Sequence, residues 1–180
     1  MRIIGGEHSG HRFTPPANKW PTRPTTDIAK EGLYNILSNR IDFEDVKFLD
    51  LFGGTGSHCY ECISRGCTDA TYVDKHGPAV TYVETMRDKL KATDMLKVHR
   101  MNVFKFIKTC EAQYDYIFAG PPYPLKNIAE IPDLILAAEM LTPTGFLVLE
   151  HNPHVHLSKH PQLTEQRNYG ETYFSFFSIS

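Results

Sequence analysis

Apolar positions along the chain fall into short runs whose spacing changes repeatedly from the helical to the extended pattern. Behind Thr26, which can cap a helix, Ala29, Leu33, Ile36 and Leu37 share one helical face. After it, strands are expected over 47–51, 70–73, around 98, over 116–119 and over 146–149, separated by helices after Gly56, over 79–91, over 104–108 and over 131–140. A strand-helix alternation of this kind predicts a doubly wound, mostly parallel α/β sheet with helices on both faces. The end of the chain breaks the rhythm: 163–168 and 172–179 flank Tyr169-Gly170 with no helical stretch between them. They should form an antiparallel hairpin on one sheet edge. At the start, 2–4 and 11–13 flank Gly5, Gly6 and Gly10 and predict a small β-hairpin, followed by an extended linker from Pro15 to Pro24. The chain thus divides into an extension, 1–25, and a main domain, 26–180.

Composition narrows the class without changing that outline. A chain of 180 residues with 41% hydrophobic and 22% charged residues can bury one sizeable core and has no low-complexity tract. No apolar run is long enough for a bilayer, and the N-terminus lacks the apolar core of a signal peptide, so a cytoplasmic protein without a membrane partner is expected. The four cysteines then read as reduced thiols. Cys59 and Cys62 form a lone C-x-x-C where a helix should follow a glycine turn, which favours packing over a redox or zinc role. A net charge of −2 is unusual for a protein that holds bare RNA electrostatically. Residues 1–25, however, carry Arg2, Arg12, Lys19 and Arg23 against Glu7 alone. A nucleic-acid contact is placed there, against the alternative of a solvated arm.

Two segments carry candidate chemistry. Asp50-Leu51-Phe52-Gly53-Gly54-Thr55-Gly56 runs from a strand through a glycine turn into a helix, so that backbone can approach a ligand at the carboxyl end of the sheet. A dinucleotide fingerprint would place a third glycine where Cys59 stands, which favours the sulfonium cofactor S-adenosylmethionine over NAD. Asp74 ends the next strand, where a carboxylate can accept ribose hydroxyls. Asn102 can meet an adenine edge or cap a helix, and Val103 can pack on the adenine ring. Asp50, Phe52, Gly54, Gly56, Asp74, Asn102 and Val103 are the expected cofactor residues. The fourth strand ends in Gly120-Pro121-Pro122-Tyr123, at the sheet edge that also carries the glycine turn.

Neither a phosphate-binding loop nor a hydrolase elbow is present. His151, His154, His156 and His160 lack a pattern that completes a metal site, and no metal is expected. Tyr173, Phe174, Phe176 and Phe177 read as core of a terminal strand.

Gly120-Pro121-Pro122-Tyr123 resembles the D/N-P-P-Y/F motif of class I methyltransferases that act on amines. Met1 to Gly6, Arg23-Pro24-Thr25-Thr26-Asp27, the glycine turn and Arg167-Asn168-Tyr169-Gly170 together resemble the RsmD family over nearly the whole chain. The resemblance implies a seven-stranded Rossmann-like sheet and methylation of the exocyclic N2 amine of a guanine in small-subunit (16S) ribosomal RNA. It also implies that the substrate is RNA within the subunit or an assembly intermediate, met by Arg2, Arg12, Arg23 and Thr25 of a monomer. In the family the acidic or amide side chain and the first proline carbonyl hold the amine hydrogens, while the aromatic residue stacks on the flipped base. Gly120 has no side chain to offer. A nearby carbonyl or water as substitute acceptor, a different target (adenine N6 or glutamine), and a catalytically impaired homologue that still binds cofactor or ribosome all accommodate that difference.

Overall fold

The computed structural model describes residues 1–21 and 23–179. Thr22, inside the expected linker, and Ser180, at the end of the expected main domain, lie outside the described residues. The strands are β1 (Lys47–Leu51), β2 (Asp69–Asp74), β3 (Leu96–Arg100), β4 (Tyr114–Ala119), β5 (Leu141–His151), β6 (Leu163–Tyr169) and β7 (Thr172–Phe177). The α-helices are α1 (Asp27–Ser38), α2 (Ser57–Ser64), α3 (Gly77–Lys89), α4 (Val103–Thr109) and α5 (Ile131–Ala137), and short 3-10 turns occupy Ala17–Lys19, Phe43–Asp45 and Ile128–Glu130. The first of these interrupts the linker expected to be extended, closed by a hydrogen bond from Lys19 N–H to the carbonyl of Pro16. All seven strands form one sheet in the order β3-β2-β1-β4-β5-β7-β6. The first five run parallel, and β7 is antiparallel to both β5 and β6. This is the expected Rossmann-like, mostly parallel α/β sheet with an antiparallel C-terminal hairpin.

Strand alternation sends Phe48, Tyr116 and Phe118 to one face, where α1, α2 and α3 cover them. Leu49, Leu51, Ile117 and Ala119 point to the other face, against α4 and α5. The winding direction reverses between β1 and β4, so their carboxyl ends part and leave a crevice.

The departures from the sequence expectations have local causes. The fifth helix stops a turn early because Glu139 adopts φ 53° and Met140 N–H turns back to the carbonyl of Ile135. β5 begins earlier than expected, at Leu141, where a register shift on β4 between Tyr114 and Tyr116 absorbs the extra length. Phe174, Phe176 and Phe177 are buried, as a terminal core strand requires.

At the N-terminus Arg2 and Arg12 form one antiparallel bridge, flanked by hydrogen bonds between Ile3 and His11 and between Gly10 and Ile3. Ile3 and Phe13 are buried in the same cluster as α1 and α2. A polar contact that hydrophobic pattern cannot reveal holds this piece down. Glu61 of α2, fully buried, accepts from the backbone N–H groups of Ile4 and Gly5 and pairs with Lys30 Nζ at 3.3 Å and Arg65 Nε at 2.9 Å. Lys30 sits on the face of α1 that also carries Leu33 and Leu37, and its ammonium reaches the carbonyl of Arg2 and Ser57 Oγ. Burial lowers the Lys30 pKa, while Glu61 opposes that shift.

Candidate active site

A cleft of about 1080 Å³ lies over the carboxyl ends of β1, β2, β4 and β5. Its first half is the turn after β1. Phe52 (φ 58°), Gly54 (φ 53°) and Gly56 (φ 80°) all take left-handed backbone, which turns the chain sharply out of the sheet and into α2. Gly53 is required for a second reason: a Cβ there would lie 2.3 Å from the ring of Tyr72. Tyr72 donates to the carbonyl of Gly54 at 2.7 Å, and Tyr60 donates to that of Thr55 at 2.6 Å. Asp74 accepts from Gly54 N–H through Oδ2 and from His76 N–H through Oδ1, each at 2.9 Å. These contacts hold the carboxylate at the rim.

Asp50 is buried at the end of β1, and its Oδ2 accepts from the Cys59 thiol at 3.3 Å. Desolvation pushes its pKa up to about 8, a shift the thiol opposes and Asp74 and Glu150 reinforce. Among the described residues no cation pairs with it. Asn102 caps α4, its Oδ1 accepting from Phe104 and Lys105 N–H, so the cap reading describes its carbonyl oxygen and an adenine edge would meet only Nδ2.

The second half is built from β4, β5 and the segment before α1. Gly120, Pro122 and Tyr123 line it, with Pro121 buried behind them. Tyr123 donates to Glu150 Oε2 at 3.3 Å, and desolvation first, then the Glu150 charge, pushes its phenol up to about 12. Glu150, at the end of β5, is 3% exposed, and its Oε1 accepts from Thr25 Oγ1. Thr25 Oγ1 is 2.9 Å from His58 Nε2, and His58 Nδ1 is 3.1 Å from Tyr34 Oη. One arrangement of hydrogens satisfies this chain: Thr25 donates to Glu150, His58 donates from Nε2 to Thr25, and Tyr34 donates to Nδ1. Burial holds the His58 pKa well below its usual value, consistent with a neutral ring carrying a single N–H.

The linker also belongs to the cleft. Trp20 packs edge-on against His76 and Tyr82 of the α3 region, at 5.7 and 5.9 Å between centroids. Beyond it Pro21, Arg23, Pro24 and Thr25 line the cavity, with the Arg23 guanidinium 4.8 Å from the Tyr123 ring centroid.

Of the residues expected from sequence, Asp50, Phe52, Gly54, Asp74, Asn102, Val103, Gly120, Pro122, Tyr123, Arg23 and Thr25 share this cleft. Gly56 and Pro121 act behind its wall. Arg2 lies instead against Asp27 and Glu31 of α1, at 3.9 and 4.0 Å, and Arg12 is exposed on the extension. Glu150 and His58 are additions that the sequence reading misses. Glu150 had a usable signal, since it ends an apolar strand of a parallel sheet, where sites gather; His58, in a helix of mixed residues, had none. His151 and His160 have structural partners, Ser175 and Asp133, each at 2.7 Å. Cys59 and Cys62 are both buried in α2, in agreement with packing.

The sequence profile of the family described as conserved hypothetical protein 95 matches residues 1–178. This chain belongs to that family, the RsmD family. A Bacillus subtilis protein named "Putative rRNA methyltransferase YlbH" is 31% identical over 178 residues, 96% of this chain and 95% of that protein. The ribosomal RNA small subunit methyltransferase D of Haemophilus influenzae is 27% identical over 153 residues, 83% of this chain and 78% of that one. Among solved structures, a hypothetical protein of Thermus thermophilus superposes with a TM-score of 0.85 at 26% identity over 99% of each chain.

Proposed function

We propose that this RsmD-family protein transfers a methyl group from S-adenosylmethionine to the exocyclic N2 amine of a guanine in 16S ribosomal RNA. The observation that carries the reading is that the glycine turn, Asp50 and Asp74 share one cleft with Gly120, Pro122 and Tyr123.

The cofactor fits the residues present. Asp50 is a buried carboxyl group whose neighbour is a thiol; it has no cationic partner among the described residues, and the cationic end of S-adenosylmethionine would supply one and favour its ionised form. Each oxygen of Asp74 accepts one backbone hydrogen bond and keeps a lone pair for a ribose hydroxyl. Val103 and Phe104 offer apolar surface to an adenine at the opposite wall. When bound, the cofactor supplies an electrophilic methyl group.

The protein's task is then to hold the amine in line and keep water away. Tyr123 provides the face on which a flipped guanine stacks, while the Pro121-Pro122 pair stiffens its approach. Arg23, over Tyr123 at the cleft mouth, meets a phosphate of the incoming strand, and Arg12, exposed on the extension, continues the contact along the N-terminal segment, while Arg2 is held by its ion pairs with α1. RNA presented by the small subunit or its assembly intermediate, met by a single protomer, accounts for binding at a net charge of −2. Among the described residues no helix is long and apolar enough to cross a membrane.

Gly120 favours one other reading, an impaired homologue that binds cofactor without turnover. Incubation with labelled S-adenosylmethionine and small subunits lacking the modification separates them: methyl transfer to guanine N2 puts label in N2-methylguanosine after digestion. Cofactor binding without label in any nucleoside would establish the impaired reading, and label in N6-methyladenosine would move the target.

A further inference from the structure

We infer that Glu150 is the acceptor for an N–H of the target amine, in place of the side chain that Gly120 lacks. The inference rests on the methyl-transfer reading above and names a catalytic residue for it.

Register is the first argument. Ala119 of β4 pairs with Leu149 of β5, so Gly120 and Glu150 are the next residues along two adjacent parallel strands. Phe118 pairs with Val148, and residues two apart on a strand face the same side. A side chain at 120 would therefore project to the side where Glu150 stands. The geometry at Gly120 agrees, because an added Cβ would come within 2.9 Å of Phe118 Cε1.

Space is the second. The Phe118 ring fills the room that a carboxylate at 120 would need, and it is held there by the His58 ring, stacked at 3.6 Å between centroids. Glycine at 120 and the ring at 118 form one packing solution. It moves the acceptor one strand across, from β4 to β5.

Preorganisation is the third. Glu150 is 3% exposed yet lines the cleft, so a polar end reaches the cavity from a buried stem. Oε1 accepts from Thr25, itself fixed by His58 and Tyr34, and Oε2, which accepts the longer 3.3 Å bond from the Tyr123 hydroxyl, keeps a second lone pair to face a base stacked on Tyr123. Thr25 and His58 are positioning residues in this scheme. In the step itself the N–C bond forms as the C–S bond of the sulfonium donor breaks, and the C–S electron pair returns to sulfur. The extra proton of the methylated amine passes to Glu150 Oε2. Burial raises the Glu150 pKa, which Thr25, Tyr123 and the Arg23 charge oppose, and so makes the carboxylate a better proton acceptor than an exposed one.

Two measurements on Glu150→Gln and Glu150→Ala test this. The first is the single-turnover rate on small subunits, expected to fall by about 10²–10³ in each variant, the usual cost of one preorganised group. A rate within threefold of wild type in both would overturn the assignment. The second needs no turnover: binding of guanosine and of inosine, which lacks the N2 amine, to protein loaded with S-adenosylhomocysteine. Wild type should prefer guanosine by roughly tenfold, the value of one good hydrogen bond to a charged group, and Glu150→Ala should bind both equally. Should wild type methylate no RNA, the function proposed above fails, and the nucleoside pair still decides on Glu150. A guanosine preference lost in the variant supports the acceptor; a preference retained, or absent from wild type, refutes it. Unchanged S-adenosylhomocysteine affinity and melting temperature identify variants that have kept their fold.

Discussion

The two halves of the cleft are built differently. The cofactor half is assembled mainly from neighbours in sequence and on adjacent strands: Gly53 to Gly56, Tyr60, Tyr72 and Asp74 bond to one another within a span of about twenty residues. The base half gathers Thr25, His58, Tyr123 and Glu150, and its Thr25–Glu150 contact joins groups 125 residues apart. A half built mainly from one βαβ unit is fixed once β1, its turn and β2 have paired. One made of four distant segments depends on the whole sheet and on how the N-terminal segment is fastened.

The largest expected effect probes that fastening. Glu61→Ala strips the partner from the fully buried Lys30 and from the N–H groups of Ile4 and Gly5, and should cost about 3–5 kcal/mol in urea unfolding. Under conditions where the variant stays folded, RNA methylation should fall further than cofactor affinity; equal losses would erase the distinction between the halves. Gly53→Ala attacks the other half. Its new Cβ meets the Tyr72 ring at 2.3 Å, and about 1–3 kcal/mol of strain should appear as weaker S-adenosylmethionine binding by calorimetry.

Asp50 sharpens the comparison through pH. Its folded pKa, about 8, lies above the ordinary value of 3.8, so the folded state holds more protons between those values and stability falls as pH rises through that window. Asp50→Asn should flatten that fall, which can reach about 1.4 kcal/mol per pH unit for one group. Parallel melting curves of the two proteins from pH 5 to 9 would contradict the shift. Arg23→Ala should have the smallest effect: weaker RNA binding, with the salt dependence of log K reduced by about 1, read from titrations at several salt concentrations.

The same contrast explains what the sequence made legible. The order of strands and helices, the left-handed glycines and the rim carboxylate Asp74 follow from local spacing, and local contacts then realise them. Gly120-Pro121-Pro122-Tyr123 could be placed beside the glycine turn because both leave the sheet at the carboxyl ends of β4 and β1. The partnership of Thr25, His58 and Glu150 could not be read, because it depends on the β4–β5 register and on where the linker crosses. Lys30 and Glu61 stay hidden for a related reason: each sits where a helix is expected to bury apolar side chains, and only the pair makes their burial tolerable. Charge alone groups Arg2 with Arg23, yet ion pairs turn Arg2 toward α1 while Arg23 overhangs the cleft.

The most direct test of methyl transfer to guanine N2 is the nucleoside composition of small-subunit RNA from cells with the gene deleted, compared with wild type. The deletion strain should lack one N2-methylguanosine, and a plasmid-borne wild-type copy should restore it. An unchanged N2-methylguanosine content in the deletion strain would contradict the proposed activity.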